Sequence, residues 1–189
     1  MKNISGILAL TLGIIVFFAF LPSLQNNFVN WDDGEYVYHN SFIKSASLKN
    51  IQKILCAYFV SNYHPLTMLS YFFDYRVFKL DPFGYHLTSL ILHLANCLLV
   101  FWLINFLSRN LFVAFITALF FGVHPLHVEP VAWISARKDV LFAFFFLAAL
   151  ISYLGYLRQL PAKRYYYLSL FLFIAACLSK SMAVTLPAV

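Results

Sequence analysis

Charge is what this sequence is shortest of. Lys, Arg, Asp and Glu make up 11% of its 189 residues, while apolar residues reach 62%. A soluble domain carries about a quarter charged residues, so a soluble globular chain is excluded. Acids are scarcest, seven against 13 Lys and Arg. Cysteine is limited to Cys56, Cys97 and Cys177, which excludes a disulfide framework; two of the three fall in apolar runs, where Cys is a small packing residue. There is no internal repeat and no low-complexity tract. The first apolar run is too long for a typical leader and no A-x-A-like site follows it, so it reads as a signal-anchor ahead of a cleaved leader. Aromatics, by contrast, reach 20%, with 22 Phe and 12 Tyr, as expected where rings face lipid and line its interfaces.

The fold class is therefore an all-α membrane protein, a multi-spanning helical bundle. A bilayer core needs about 20 apolar residues as helix. Charge-free runs predict spans at 4–24, 84–107, 110–127, 140–158 and 165–180, with the start of a sixth at 181–189. The fifth is short and needs Arg164 and Lys180 to snorkel. Spans two and three are separated only by the turn around Arg109 and form a helical hairpin. The apolar ending Ser181–Val189 suggests the N-terminal part of a larger module.

With the N-terminus inside, the cytoplasmic segments hold Lys2, Arg109, Arg158, Lys163 and Arg164 and no acid. All seven acids then fall on the other side. Eight basic residues fall there too, mostly in the long first loop, which the positive-inside rule weights less than short loops.

That loop, 25–82, is the most informative stretch. Leu48, Ile51, Leu55 and Tyr58 recur at helical spacing opposite Lys49, Asn50, Gln52 and Lys53, which predicts an amphipathic interfacial helix. Pro65 can open a second helix, apolar through Leu66, Leu69, Phe72, Phe73 and Tyr75 and ended at Leu80-Asp81-Pro82. Two membrane-hugging helices in one loop look built to cap a cavity.

Three constellations carry chemistry. Asp32, Asp33 and Glu35 lie just outside the first span. Three carboxylates within four residues suit a general base or a divalent metal; a solvated acidic turn is the plain alternative. His124, His127 and Glu129, between spans three and four, are a candidate polar floor or metal group, although two prolines break any common helix face. Arg137 and Lys138, with Lys180 from the end of span five, are basic on the acid-bearing side. Binding a phosphate accounts for them; snorkelling to headgroups is the cheaper account. His86 and His93, seven apart on span two, fit a bundle interior or an interhelical hydrogen bond. Asp74 and Arg76 read as interfacial structure.

The stretches FVNWDDGEYVYHN, NYHPLTMLSYFFDYRVFKLDPFGYHLTSLILHLANCLL and FGVHPLHVEPVAWISARKDVLF together cover most of the chain from Asn26 on. They closely resemble bacterial membrane proteins with a type C glycosyltransferase module and a tetratricopeptide tail, relatives of the eukaryotic TMTC family of protein O-mannosyltransferases. The resemblance implies an N-terminal fragment of a multi-spanning enzyme of about a dozen spans, in the bacterial inner membrane. Its first extracytoplasmic loop would carry a catalytic acid, and its donor would be a polyprenyl-phosphate sugar.

Joined to the residues, this gives an expected mechanism. Asp33 or Asp32, with Glu35 beside them, acts as general base on an acceptor hydroxyl of a protein or glycan. The sugar leaves its lipid phosphate with inversion, and Arg137, Lys138 and Lys180 stabilise the phosphate. His124, His127 and Glu129 complete the cavity floor, with the part of a divalent metal left open. Nucleic acid is not an expected partner. Two rivals stand beside this reading: a transporter or flippase of lipid-linked sugars, and a non-catalytic anchor for a downstream repeat domain.

Overall fold

The computed structural model describes residues 2–158 and 163–188, and among them the regular structure is helical, without strands. The chain is an all-α membrane protein. Three helical segments are long and apolar enough to cross a bilayer, Asn3–Gln25, Pro82–Ser108 and Ile134–Arg158, and a bent pair makes a fourth candidate. Nine α-helices are described, and they are numbered here in chain order.

Helix α1 (Lys2–Phe20) is followed by a 3₁₀ turn, Leu21–Gln25, opened by Pro22. The first loop contributes a single π turn, Gly34–Tyr38, then the short α2 (Ser41–Lys44) and α3 (Leu48–Cys56). Asn40 caps α2 by accepting from Phe42 N, and Ser47 caps α3 by accepting from Asn50 N. The amphipathic reading of α3 survives with a different inward face. Ile54 is buried and Ile51 half-buried, whereas Leu48 and Leu55 are exposed and Tyr58 lies beyond the helix end. Tyr58 falls outside because Ala57 adopts extended backbone and stops the helix, and the inward face is set by the loop core in which Ile54 packs.

Helix α4 (Pro65–Phe78) opens at Pro65 and closes at Lys79, which adopts φ 56°. Asp81 then caps α5 (Pro82–Ser108) by accepting from Phe83 N, with Pro82 at the first helical position, where a missing N–H costs nothing. The hairpin turn into α6 (Leu111–Gly122) is written in two residues. Arg109 takes the left-handed conformation at φ 55°, and the Asn110 side chain accepts from Phe112 N and Val113 N. Helix α6 is shorter than the expected third span. His124 precedes a proline and is extended, as steric contact with the ring requires, so the continuation Pro125–Ala132, which includes α7 (Val128–Ala132), is bent by 54°.

Helices α8 (Arg137–Arg158) and α9 (Lys163–Ser179) follow, and a 3₁₀ segment, Ser181–Ala188, occupies the expected start of a sixth span. Gln159, between α8 and α9 in the sequence, lies outside the described residues.

Helix α5 is the centre of the bundle. Leu12, Val16 and Phe20 of α1 and Ala114 and Ala118 of α6 bury against its Leu90, Cys97, Val100 and Phe101. Gly122 permits a close approach of α6 to α1 and α5, since a Cβ there would stand 2.5 Å from Val16 and 3.0 Å from Cys97. Two interhelical hydrogen bonds reinforce the packing: His93 Nε2 with Gly122 O at 2.9 Å, and Asn96 Nδ2 donating to Val140 O at 2.9 Å. Such bonds contribute about 0.6 kcal/mol each in a membrane.

The loop has a second core of its own. Tyr36, Val37, Ile43, Ile54, Met68, Tyr71 and Phe72 cluster with Tyr85 and Ile134 from the bundle. A loop that buries this much apolar surface is a folded cap, not a tether. It is pinned at the start of α5 and of α8 and, through Thr67 Oγ1 donating to Ser179 O at 3.0 Å, at the end of α9. At the opposite end of the bundle, Arg158 Nη1 donates to Phe106 O at 2.8 Å and stacks over the Phe106 ring. The loop, the 124–139 segment and Lys180 therefore share one end, and Arg109, Arg158 and Lys163 the other.

Candidate functional site at the capped end of the bundle

The acidic turn and the segment opening α8 meet at this end. Asp33 is 1% exposed, the least accessible acid of the chain. Its Oδ1 accepts both the backbone N–H of Ser135, at 3.0 Å, and the Ser135 hydroxyl. Its Oδ2 accepts Val29 N–H at 3.0 Å. Asp33 therefore clasps the first loop to the turn before α8. Asp32 is half-buried and its carboxylate receives none of the described hydrogen bonds; Glu35 is exposed.

Asp33 also lines a cleft of about 540 Å³ between the start of the loop and α7, together with Asn27, Trp31, Glu129 and Trp133. The structure thus brings together Asp33, Glu129 and Ser135. His127 is held apart from this cleft. Its Nδ1 pairs with Phe121 O at 2.6 Å, and its ring leans on Phe121, His93 and His124. His124 Nδ1 accepts Leu126 N–H at 3.2 Å and so caps the turn. Among the described residues no three His, Cys, Asp or Glu side chains form a metal-holding group.

Arg137 is 0% exposed and fully engaged. It forms an ion pair with Asp74, and its Nη2 donates to Tyr85 O at 2.6 Å. Nε lies 3.3 Å from Ser89 Oγ, and Nη1 lies 3.4 Å from Ser70 Oγ. The guanidinium stands 4.7 Å from the ring centre of Tyr71. Asp74 is held in turn by Thr88 Oγ1 at 2.8 Å. Burial pushes the Asp74 carboxyl up, against the opposing pull of Arg137. Asp74 is thus a buried structural partner rather than the interfacial residue its place in the sequence suggested. No sequence signal pairs it with Arg137, since 63 residues separate them. Arg76 stacks over Phe72.

Lys180 is paired with Asp139, both partly exposed. Lys138 is the basic residue of the group that joins no ion pair among the described residues. Its ammonium stands 5.6 Å from the ring centre of Tyr36. Tyr36 is buried, and burial together with the nearby Asp32 carboxylate pushes its phenol up to about 12. The Tyr36 ring meets that of His64, centroids 5.1 Å apart. Burial, helped by Lys138, lowers His64 to about 4. Asp32 and Lys138 accordingly both lie near Tyr36, an acid and a cation at one end of the bundle. Tyr36 and His64 were not singled out from the sequence, because only the fold brings them close to those charges.

These features define a polytopic helical membrane protein with a charged site under a folded cap. The chain is similar to protein O-mannosyl-transferases. It is 34% identical over 142 residues to Protein O-mannosyl-transferase Tmtc3 of Drosophila melanogaster, matching 64% of this chain and 15% of the relative. It is 37% identical over 134 residues to Protein O-mannosyl-transferase TMTC1 of Mus musculus, 66% of this chain and 14% of the relative. Protein O-mannosyl-transferase Tmtc1 of Drosophila melanogaster is 27% identical across 97% of the chain, which covers 22% of it. The chain thus spans about a seventh to a fifth of the length of these curated relatives. No family model and no solved structure matches it.

Proposed function

We propose that this chain forms the substrate-facing end of a membrane glycosyltransferase, one that moves a sugar from a polyprenyl-phosphate donor to an acceptor hydroxyl of a protein or glycan on the non-cytoplasmic side. The observation that carries this reading is the clasp between Asp33 and Ser135. It ties the acidic turn that carries Asp32 to the start of α8 that carries Lys138, whose ammonium stands 5.6 Å from the ring centre of Tyr36. The likeness to proteins named O-mannosyl-transferases supports the reaction class.

In this reading Asp32 is the general base, because both oxygens of Asp33 already hold donors; Asp33 sets its position, and Glu35 adds negative potential at the mouth. The base takes the proton of the acceptor hydroxyl as its oxygen bonds to the anomeric carbon. The bond from that carbon to the phosphate oxygen breaks, its electron pair leaves with the lipid phosphate, and the configuration inverts. Lys138 stabilises the growing phosphate charge, and Lys180 joins it when released from Asp139. Arg137 acts from beneath by fixing the start of α8. Glu129 lines the adjoining cleft, while His124 and His127 brace the turn that leads into α7.

The test is transfer of a hexose from polyprenyl phosphate to a Ser/Thr peptide by the longest natural form of the protein. Asp32→Asn should lower the rate by about 10²–10⁴-fold, the usual contribution of a general base. Lys138→Ala should instead weaken use of the donor. If Asp32→Asn and Asp33→Asn both leave transfer intact, the catalytic reading is wrong.

A further inference from the structure

The cleft beside Asp33 differs chemically from the lipid-facing grooves of the bundle. The groove between α1 and α5 is wholly apolar, lined by residues such as Leu10, Phe17, Leu94 and Leu98. The cleft, by contrast, is walled by two indoles, Trp31 and Trp133, with ring centres 6.3 Å apart and planes 53° apart. Trp31 is 79% exposed. Trp133 is half-buried, and its Nε1 is enclosed without a hydrogen-bond partner. Glu129, exposed on the same wall, joins no ion pair among the described residues, and Asn27 adds an exposed amide.

An exposed tryptophan near a span end is ordinary interfacial anchoring. Anchoring does not account for a second indole 6.3 Å away in the same cleft, nor for a carboxylate without an ion-pair partner and an exposed amide on the same lining. A ligand that completes this cleft needs an apolar face for an indole and a rim of hydroxyls. Those hydroxyls would donate to Glu129 and accept from Asn27. A pyranose ring has both.

We propose that this cleft is a glycosyl-binding subsite in which a hexopyranose stacks on Trp31, opposite the Trp133 wall, and is held through its hydroxyls by Glu129 and Asn27. The proposal rests on the transferase reading, since Asp33 forms one wall and brings the subsite next to the acidic turn. The ring is common to a lipid-phosphate-linked hexose and to a free glycan.

Indole emission of the full chain in phosphatidylcholine nanodiscs tests it without any turnover. Methyl hexopyranosides are titrated in one arm. Other arms use a polyprenyl-phosphate hexose, the bare polyprenyl phosphate, and a Ser/Thr-rich peptide. Saturable emission changes with the hexopyranosides and with the hexosylated lipid, but not with the bare lipid or the peptide, are the expected result. A response to the free glycoside alone marks a glycan source, and a far stronger response to the hexosylated lipid marks the donor. Trp31→Ala, a change on an exposed side chain that leaves the fold intact by circular dichroism, should weaken binding roughly tenfold. Glu129→Gln should weaken it comparably. No response to any saccharide, or an equal response to the bare lipid or the peptide, overturns the proposal. A chain that transfers sugar yet shows no indole response loses this subsite and keeps the transferase reading; one that responds yet transfers nothing keeps the subsite and loses the transferase reading.

Discussion

Asp33 and Ser135 are 102 positions apart, yet one carboxylate oxygen takes both the backbone N–H and the hydroxyl of the serine. The second oxygen reaches back to Val29 N within its own loop. One buried acid thus holds the cap onto the bundle and shapes the turn that presents Asp32.

This predicts a division of labour within the acidic turn. Hydrogen bonds to a charged group contribute about 1.5–3 kcal/mol each, so Asp33→Ala should unfold the cap at markedly lower temperature. Ser135→Ala should cost less, because the backbone donor remains. Asp32→Ala should stay within about 0.5 kcal/mol of the parent. Thermal melts in lipid nanodiscs rank the three; equal melting of all three would mean that the clasp does not hold the cap.

The Arg137–Asp74 pair should behave as buried ion pairs do. Removing one partner strands the other charge and costs about 3–5 kcal/mol. Arg137→Met and Asp74→Leu should each destabilise strongly, while the double replacement recovers much of the loss. Chemical denaturation of the singles and the double measures the coupling, and additive losses would contradict it.

Stability should fall on acidification through His64. Its folded pKa is about 4, below the usual 6.5. Between those values the unfolded chain takes up a proton that the folded chain refuses, so stability is lost as pH drops from about 6.5 towards 4. The slope is at most about 1.4 kcal/mol per pH unit. His64→Gln should flatten the pH dependence of the melting temperature over that window, and an unchanged slope would assign the effect to another group.

The two ends of the bundle should face opposite compartments. A cysteine placed at Ser41 should label from the non-cytoplasmic side and one at Lys163 from the cytoplasmic side. Labelling of both from one side would contradict the arrangement.

Much of the architecture was legible in the sequence because membrane spans are written in composition. The charge-free runs anticipate α1, α5 and α8, and the Arg109–Asn110 turn marks the hairpin. Pro65 and Asp81-Pro82 announce the start and end of α4. The 54° bend at His124-Pro125 was half-visible, as two prolines whose effect on direction depends on packing. The inward face of α3 was misread because its partner surface, the loop core around Met68 and Tyr71, exists only once the loop is folded. The charged residues stood out individually, but their pairing did not. Arg137 looked like a phosphate ligand because a sequence shows a basic residue without showing that Asp74 lies beside it.

The clasp has a consequence in time. Synthesis proceeds at about 5–20 residues per second, so the 102 residues between Asp33 and Ser135 take roughly 5–20 s to emerge. Throughout that interval the acidic turn has left the ribosome without its partner. Until the start of α8 arrives, Asp33 lacks the donors that Ser135 supplies, and the clasp closes only when the fourth hydrophobic segment is delivered.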